Sequence, residues 1–178
     1  MPARDRRFRK TEKDIKDAFI KIAYKKRKDE GNRWPTLEEV LENADINRST
    51  FYLHYPGMEE VEKSVLSDFI VLFEMSEFPT TDEKAAWTVL LPFMKKYLKD
   101  FVALYVLDPR GLLDSLFNRY ETMMGEQKSD NPYQKELNKA IFYYKLQVVY
   151  KWLLKGGREE VEKILPYIVD VKITSPIC

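Results

Sequence analysis

Thr36 and Glu39 form a capping box, and the twenty residues that begin at Thr36 and end at Tyr55 hold two helix starts rather than one. In a capping box the Thr hydroxyl serves an orphan N–H of the first turn while the Glu reaches back to the amide of the cap. Behind it, Leu37, Val40, Leu41 and Ala44 fall at i, i+3, i+4 and i+7, which places one apolar stripe on one helix face. Asp45 interrupts that stripe, and Asn47 supplies a second N-cap. The helix that follows is expected to hide Ile46, Phe51 and Tyr55 while Arg48, Ser49, Tyr52 and Leu53 share the opposite side. Two short helices joined by three or four residues make a helix-turn-helix, whose second helix is shaped for the DNA major groove.

The chemistry of the outward side agrees with that shape. Arg48 carries a fork of donors matched to guanine O6 and N7, and Ser49 can bond a base edge or a phosphate. Thr50, Tyr52 and His54 end in groups suited to phosphate oxygens, which set register without reading sequence. The plainer alternative is a helical hairpin in a larger bundle with a solvated polar face. Periodicity alone does not separate the two, but an acid-free, hydroxyl-rich helix exposing an Arg is unusual for a merely solvated surface.

The run Ala44-Asp-Ile-Asn-Arg-Ser-Thr-Phe-Tyr-Leu-His-Tyr55 resembles the recognition segment of the TetR (tetracycline-repressor-like) family of transcriptional regulators. Thr36-x-x-x-Val40 and Ile15-Lys-Asp-Ala-Phe19 resemble that family's second and first helices, so the likeness covers roughly the first third of the chain. Further on, only the helical character and the segment Trp152-Leu-Leu-Lys-Gly-Gly157 echo some members. The resemblance implies that Thr36, Thr50, Tyr52 and His54 touch phosphates and that Asn47, Arg48, Ser49 and Leu53 approach bases. The chain departs from the family pattern in two places. Asp45 stands where the corner is usually Gly, and Met58 stands where the fourth helix usually opens on a phosphate-binding Lys.

Charge is unevenly distributed. Residues 1 to 28 hold twelve Lys or Arg against four acids, whereas residues 56 to 178 hold sixteen against nineteen. A basic front suits a molecule that presents one end to a polyanion, although a basic run by itself is as well explained as a solubilising tail. Residues 2 to 10, with Arg4, Arg6, Arg7, Arg9 and Lys10, are expected to be a mobile arm that orders on a phosphate backbone. Thr11 is then the expected cap of the first helix, whose stripe is Ile15, Ala18, Phe19, Ile22 and Ala23 and whose stop is Asp29-Glu-Gly31. The resulting three-helix unit is small enough to need support from the next helix.

Pro56-Gly57 ends the second helix of the pair, and Met58, Val61, Val65, Phe69 and Leu72 continue at helical spacing as a connecting helix. Thr81 or Asp82 is expected to cap a helix that Pro92 kinks or breaks, since proline removes a donor and clashes with the preceding turn. Asp108-Pro109 and Asn131-Pro132 are each a cap followed by proline at the first helical position. The second of these opens a long helix that stops at Gly156-Gly157, and a final helix runs from Glu159 to about Val169. The expected fold class is therefore all-α, with about nine helices. An N-terminal three-helix helix-turn-helix DNA-binding domain (1–55) precedes a C-terminal helical bundle for effector binding and dimerisation (56–178, the connecting helix being 56–75).

The rear part is rich in aromatics. Most should be core, and the family resemblance implies that some line an effector pocket for a small apolar or aromatic molecule. Trp87, Tyr97, Phe117, Tyr120 and Tyr143 are the residues selected for that role, tyrosine combining an apolar body with a hydroxyl. The helices at 132–155 and 159–169 resemble the pair that forms a homodimer interface in the family; otherwise they close the monomer's own core.

Other chemistries find little support. His54 is the only histidine, no HExxH, CxxC, EF-hand or glycine-rich phosphate loop occurs, and no catalytic residue, metal site or cofactor is expected. No apolar run approaches the ~20 residues of a membrane span. The basic N-terminus lacks an apolar core for export, and the single cysteine, Cys178, fits a reducing cytoplasm. The reading is a dimeric, ligand-responsive repressor of the TetR kind, bound to a palindrome in double-stranded DNA. The alternative is a protein-binding coregulator on the same scaffold without a small-molecule effector.

Overall fold

A computed structural model describes residues 3–28, 34–76, 82–123 and 132–171. Every regular element among them is a helix: α1 Ala3–Lys26, α2 Leu37–Ala44, α3 Arg48–His54, α4 Met58–Glu74, α5 Glu83–Lys96, α6 Leu98–Leu107, α7 Pro109–Met123 and α8 Pro132–Leu154. Two single turns follow, α9 Val161–Ile164 and α10 Pro166–Val169, which divide the expected last helix at Pro166. The chain separates into two compact units, residues 1–72 with 99–112 and residues 73–98 with 113–178.

The first unit is built on the expected stripe of α1. Ile15, Ala18, Phe19, Ile22 and Ala23 are all buried, together with Val40 of α2 and Phe51 of α3. The support that a three-helix unit needs comes from α4 and α6. Val61, Val65 and Phe69 of α4 are buried, Phe69 meets Phe101 of α6 with ring centroids 6.2 Å apart, and Lys16 of α1 is ion-paired to Asp68 of α4. Each buried side chain of this kind removes apolar area worth about 1.5–3 kcal/mol.

The start of α1 differs from the expectation. Helix begins at Ala3 rather than at Thr11, so the basic run is a helical extension and not an arm without structure. Thr11 lies inside the helix, its hydroxyl donating to the Arg7 carbonyl at 3.1 Å. The physical reason is tertiary: Phe8, the only aromatic in the basic run, lies against the His54 ring at 3.9 Å between centroids. The expected stop at Asp29 to Gly31 lies outside the described residues.

In the second unit Asp82 caps α5, accepting from the Ala85 N–H at 2.9 Å and the Lys84 N–H at 3.4 Å. Thr81 lies outside the described residues. Pro92 does not break α5, which runs on to Lys96. Pro92 is exposed while Trp87, Leu90, Leu91 and Met94 are fully buried, so packing of the inner face carries the helix past the missing donor on the outer one. α8 ends as expected: Gly156 and Gly157 take φ of 82° and 57°, and their N–H groups donate to the Leu153 and Trp152 carbonyls at 2.8 and 3.1 Å.

Candidate nucleic-acid interface

The capping box at the start of α2 is complete. Glu39 N–H donates to the Thr36 hydroxyl at 3.3 Å, and Thr36 N–H donates to the Glu39 carboxylate at 2.8 Å. Lys26 of α1 donates to the same carboxylate at 2.7 Å, and this ammonium, followed by the Thr36 amide, holds the Glu39 carboxyl below the usual carboxylate range. Thr36 is exposed but committed to the cap.

The corner between α2 and α3 is made by Asp45 at φ 52°, ψ 49°, the left-handed conformation that its place in the sequence demanded. Its N–H reaches the Glu42 carbonyl at 3.4 Å, and the next N–H, of Ile46, reaches Leu41 at 3.1 Å. An L-residue pays for this conformation in Cβ crowding, and Asp does so less than most. Asp45→Gly should accordingly stabilise the chain by about 0.5 kcal/mol and Asp45→Val should destabilise it by about 1–2 kcal/mol, both read from urea melts. A β-branched residue tolerated there without loss would mean the corner is not left-handed.

Asn47 caps α3, its side-chain oxygen accepting from Thr50 N–H at 2.8 Å and from the Ser49 hydroxyl at 2.7 Å. The two faces of α3 then separate as expected, except that Ile46, expected to be hidden, is only half-buried. Phe51 is fully buried and Tyr55, just past the helix, is nearly so, whereas Arg48, Ser49, Tyr52 and Leu53 are exposed, Leu53 by 76%. Tyr52 is held upright by an edge contact of its ring with Phe51, 5.5 Å between centroids at 84°. Thr50 is half-buried.

Two features of this face were not read from the sequence. Arg48 is ion-paired to Glu38, ten residues earlier in the first turn of α2. His54 is half-buried beneath Phe8, with its Nδ1 sealed from solvent and without a hydrogen-bond partner. Arg7 and Arg9 flank Phe8 on α1, about 100° to either side, whereas Arg6 and Lys10 lie on its far face; all four are exposed. A lone aromatic in a basic run was the available signal for the Phe8 contact; nothing local marked Glu38. On another side of the unit, an open groove of about 820 Å³ lies between α1 and α2, lined by Lys21, Lys25, Lys26, Glu39 and Glu42 among others.

Of the five residues selected for an effector pocket, three come together. Trp87 of α5, Phe117 and Tyr120 of α7 and, in addition, Phe142 of α8 form one cluster with ring centroids 4.8–6.1 Å apart. The Trp87 indole N–H is buried without a hydrogen-bond partner. Burial and then the neighbouring Glu83 charge push the Tyr120 phenol well above its ordinary pKa. Tyr97, just beyond the end of α5, instead meets Phe93 with ring centroids 4.9 Å apart and the rings tilted by 48°, and the Tyr143 hydroxyl donates to Asp114.

Among the described residues no helix is long and apolar enough to cross a membrane, and no group of three or more His, Cys, Asp or Glu is placed to hold a metal ion. The chain matches no protein-family model, no curated protein and no solved structure.

Proposed function

We propose that this chain is a sequence-specific DNA-binding transcriptional regulator of the TetR kind, a ligand-responsive repressor that docks α3 in the major groove as one half of a dimer. The observation that carries the reading is the pairing of two surfaces. An acid-free helix face presents Arg48, Ser49, Tyr52 and Leu53, and Phe8 packed on His54 anchors beside it the basic first turns of α1, with Arg7 and Arg9 flanking the contact. Arg48 addresses a guanine edge, Tyr52 and Thr50 address phosphates, and Arg6, Arg7, Arg9 and Lys10 add the salt-dependent attraction common to all duplexes.

A single helix of this size reads too few base pairs for useful selectivity, so a second copy is required, with half-sites about 34–36 Å apart. Support for a dimer comes from α8. Its exposed positions include Tyr133, Leu137, Ala140, Tyr144, Gln147 and Lys151, which recur at spacings of four and three. Helices can pack side by side along a seam of that spacing, here apolar at Tyr133, Leu137, Ala140 and Tyr144 and polar at Gln147 and Lys151. Light scattering should find a dimer at micromolar concentration, and a strict monomer removes the palindrome from the proposal.

Selection from random duplexes, followed by binding to the enriched sequence, tests the whole reading. Arg48→Ala should weaken binding by about 1–3 kcal/mol and relax selectivity at one base position. Tyr52→Phe should weaken all sequences alike. An unchanged base preference in Arg48→Ala withdraws the base-reading role, and failure of the wild type to be retained on any duplex at low salt withdraws the regulator.

An effector would act by preferring a state of the dimer with badly spaced α3 helices, which weakens DNA binding by the same coupling free energy. The close packing of Trp87, Phe117, Tyr120 and Phe142 favours a second reading for this half of the molecule, a coregulator that recruits a protein and takes no small molecule. A thermal shift with a metabolite supports the effector; a specific protein partner with no such shift supports the coregulator.

A further inference from the structure

The Arg48–Glu38 pair, at the centre of the proposed base-reading face, works against simple attraction to DNA. Glu38 stands in the first turn of α2 and Arg48 in the first turn of α3, so the pair bridges the Asp45 corner on the surface. Their side chains remain 69% and 58% exposed, open to an approaching duplex. The neighbouring Glu39 cannot take this part, being held by Thr36 and Lys26. The guanidinium therefore meets DNA already occupied by a carboxylate.

Two consequences follow for any duplex that approaches. A phosphate oxygen must compete with Glu38 for the Arg48 donors. A guanine edge offers Arg48 two acceptors in the fork geometry, and a cytosine amino group nearby can donate to the carboxylate so displaced. The pair thus raises the cost of the wrong contact more than that of the right one.

On the basis of the regulator reading above, we propose that Glu38 is a specificity-determining residue, which withholds Arg48 from phosphates and yields it to guanine. Its charge makes the chain a weaker binder of arbitrary DNA and a more selective one.

The test measures full-length wild type, Glu38→Gln, Arg48→Ala and the double variant against the duplex selected by the wild type and a scrambled duplex of equal length. Glu38→Gln should tighten binding to the scrambled duplex by roughly five- to tenfold and leave the selected duplex within about twofold, so that discrimination falls. Its salt slope on scrambled DNA should steepen by about one phosphate contact. In the Arg48→Ala background the same change should move scrambled binding by less than about twofold, because the acid acts through the arginine. Unchanged discrimination in Glu38→Gln overturns the proposal, as does an undiminished effect in the Arg48→Ala background, which would reduce Glu38 to a general surface charge. Wild type that binds no duplex at low salt overturns the regulator reading and this inference with it; wild type that binds while Glu38→Gln discriminates equally overturns this inference alone.

Discussion

Phe51→Ala is expected to destabilise the first unit by about 3–5 kcal/mol, the range for emptying a fully buried phenylalanine site. Phe51 is wholly buried on the inner side of a seven-residue helix, between its neighbours Tyr52 and Tyr55 at 5.5 and 6.2 Å between ring centroids. A helix so short has almost no stability of its own, so the packing of this ring is what holds α3 in place. A loss of that size is a large share of the 5–15 kcal/mol typical of a domain, and the first unit should melt more than about 10 °C lower. Leu53→Ala, two positions along but 76% exposed, should change stability by less than about 0.5 kcal/mol. Equal melting of the two variants would mean that the inner and outer faces of α3 are assigned the wrong way round.

Glu83→Ala carries the second large effect, in the other unit. Lys145 of α8 is 4% exposed and ion-paired to Glu83 at the start of α5, so removing the acid leaves a buried ammonium without its counter-charge. Breaking a buried pair from one side costs about 3–5 kcal/mol, and the low end applies here because the Glu83 side chain is itself 40% exposed. Lys145→Met in the same chain should recover most of the loss, since the apolar replacement leaves no charge to be compensated. Thermal melts of the single and double variants measure this. A double variant no better than Glu83→Ala would show that the acid matters for the positive end of α5 or for Tyr120 rather than for the lysine.

The parts of this protein legible in the sequence are those governed by neighbours in the chain. The Thr36–Glu39 box, the Asn47 cap, the left-handed Asp45 and the glycines after α8 all follow from backbone groups within about five residues. Residue type alone decides which of those groups can be satisfied. The buried and exposed sides of α3 were legible for a related reason: a helix repeats every 3.6 residues, so the order of Phe51, Tyr52 and Leu53 assigns their faces.

Elsewhere local rules and distant contacts compete. A basic run with Thr11 behind it reads as an arm and a cap, yet Phe8 on His54 makes it the first two turns of α1. Proline ten residues into α5 reads as a break, yet Trp87, Leu90, Leu91 and Met94 carry the helix through. Nothing local told the five selected aromatics apart, and only folding separated Tyr97 and Tyr143 from the cluster around Phe142. The chain by itself determined where α2 and α3 start, where the chain turns between them and which of their faces are apolar, because these depend on interactions a few residues long. The tertiary structure decided which faces meet, and with them the partners of Glu38, Phe8 and Lys145. Such pairings join residues ten or more positions apart, a separation over which neither spacing nor residue type specifies a contact.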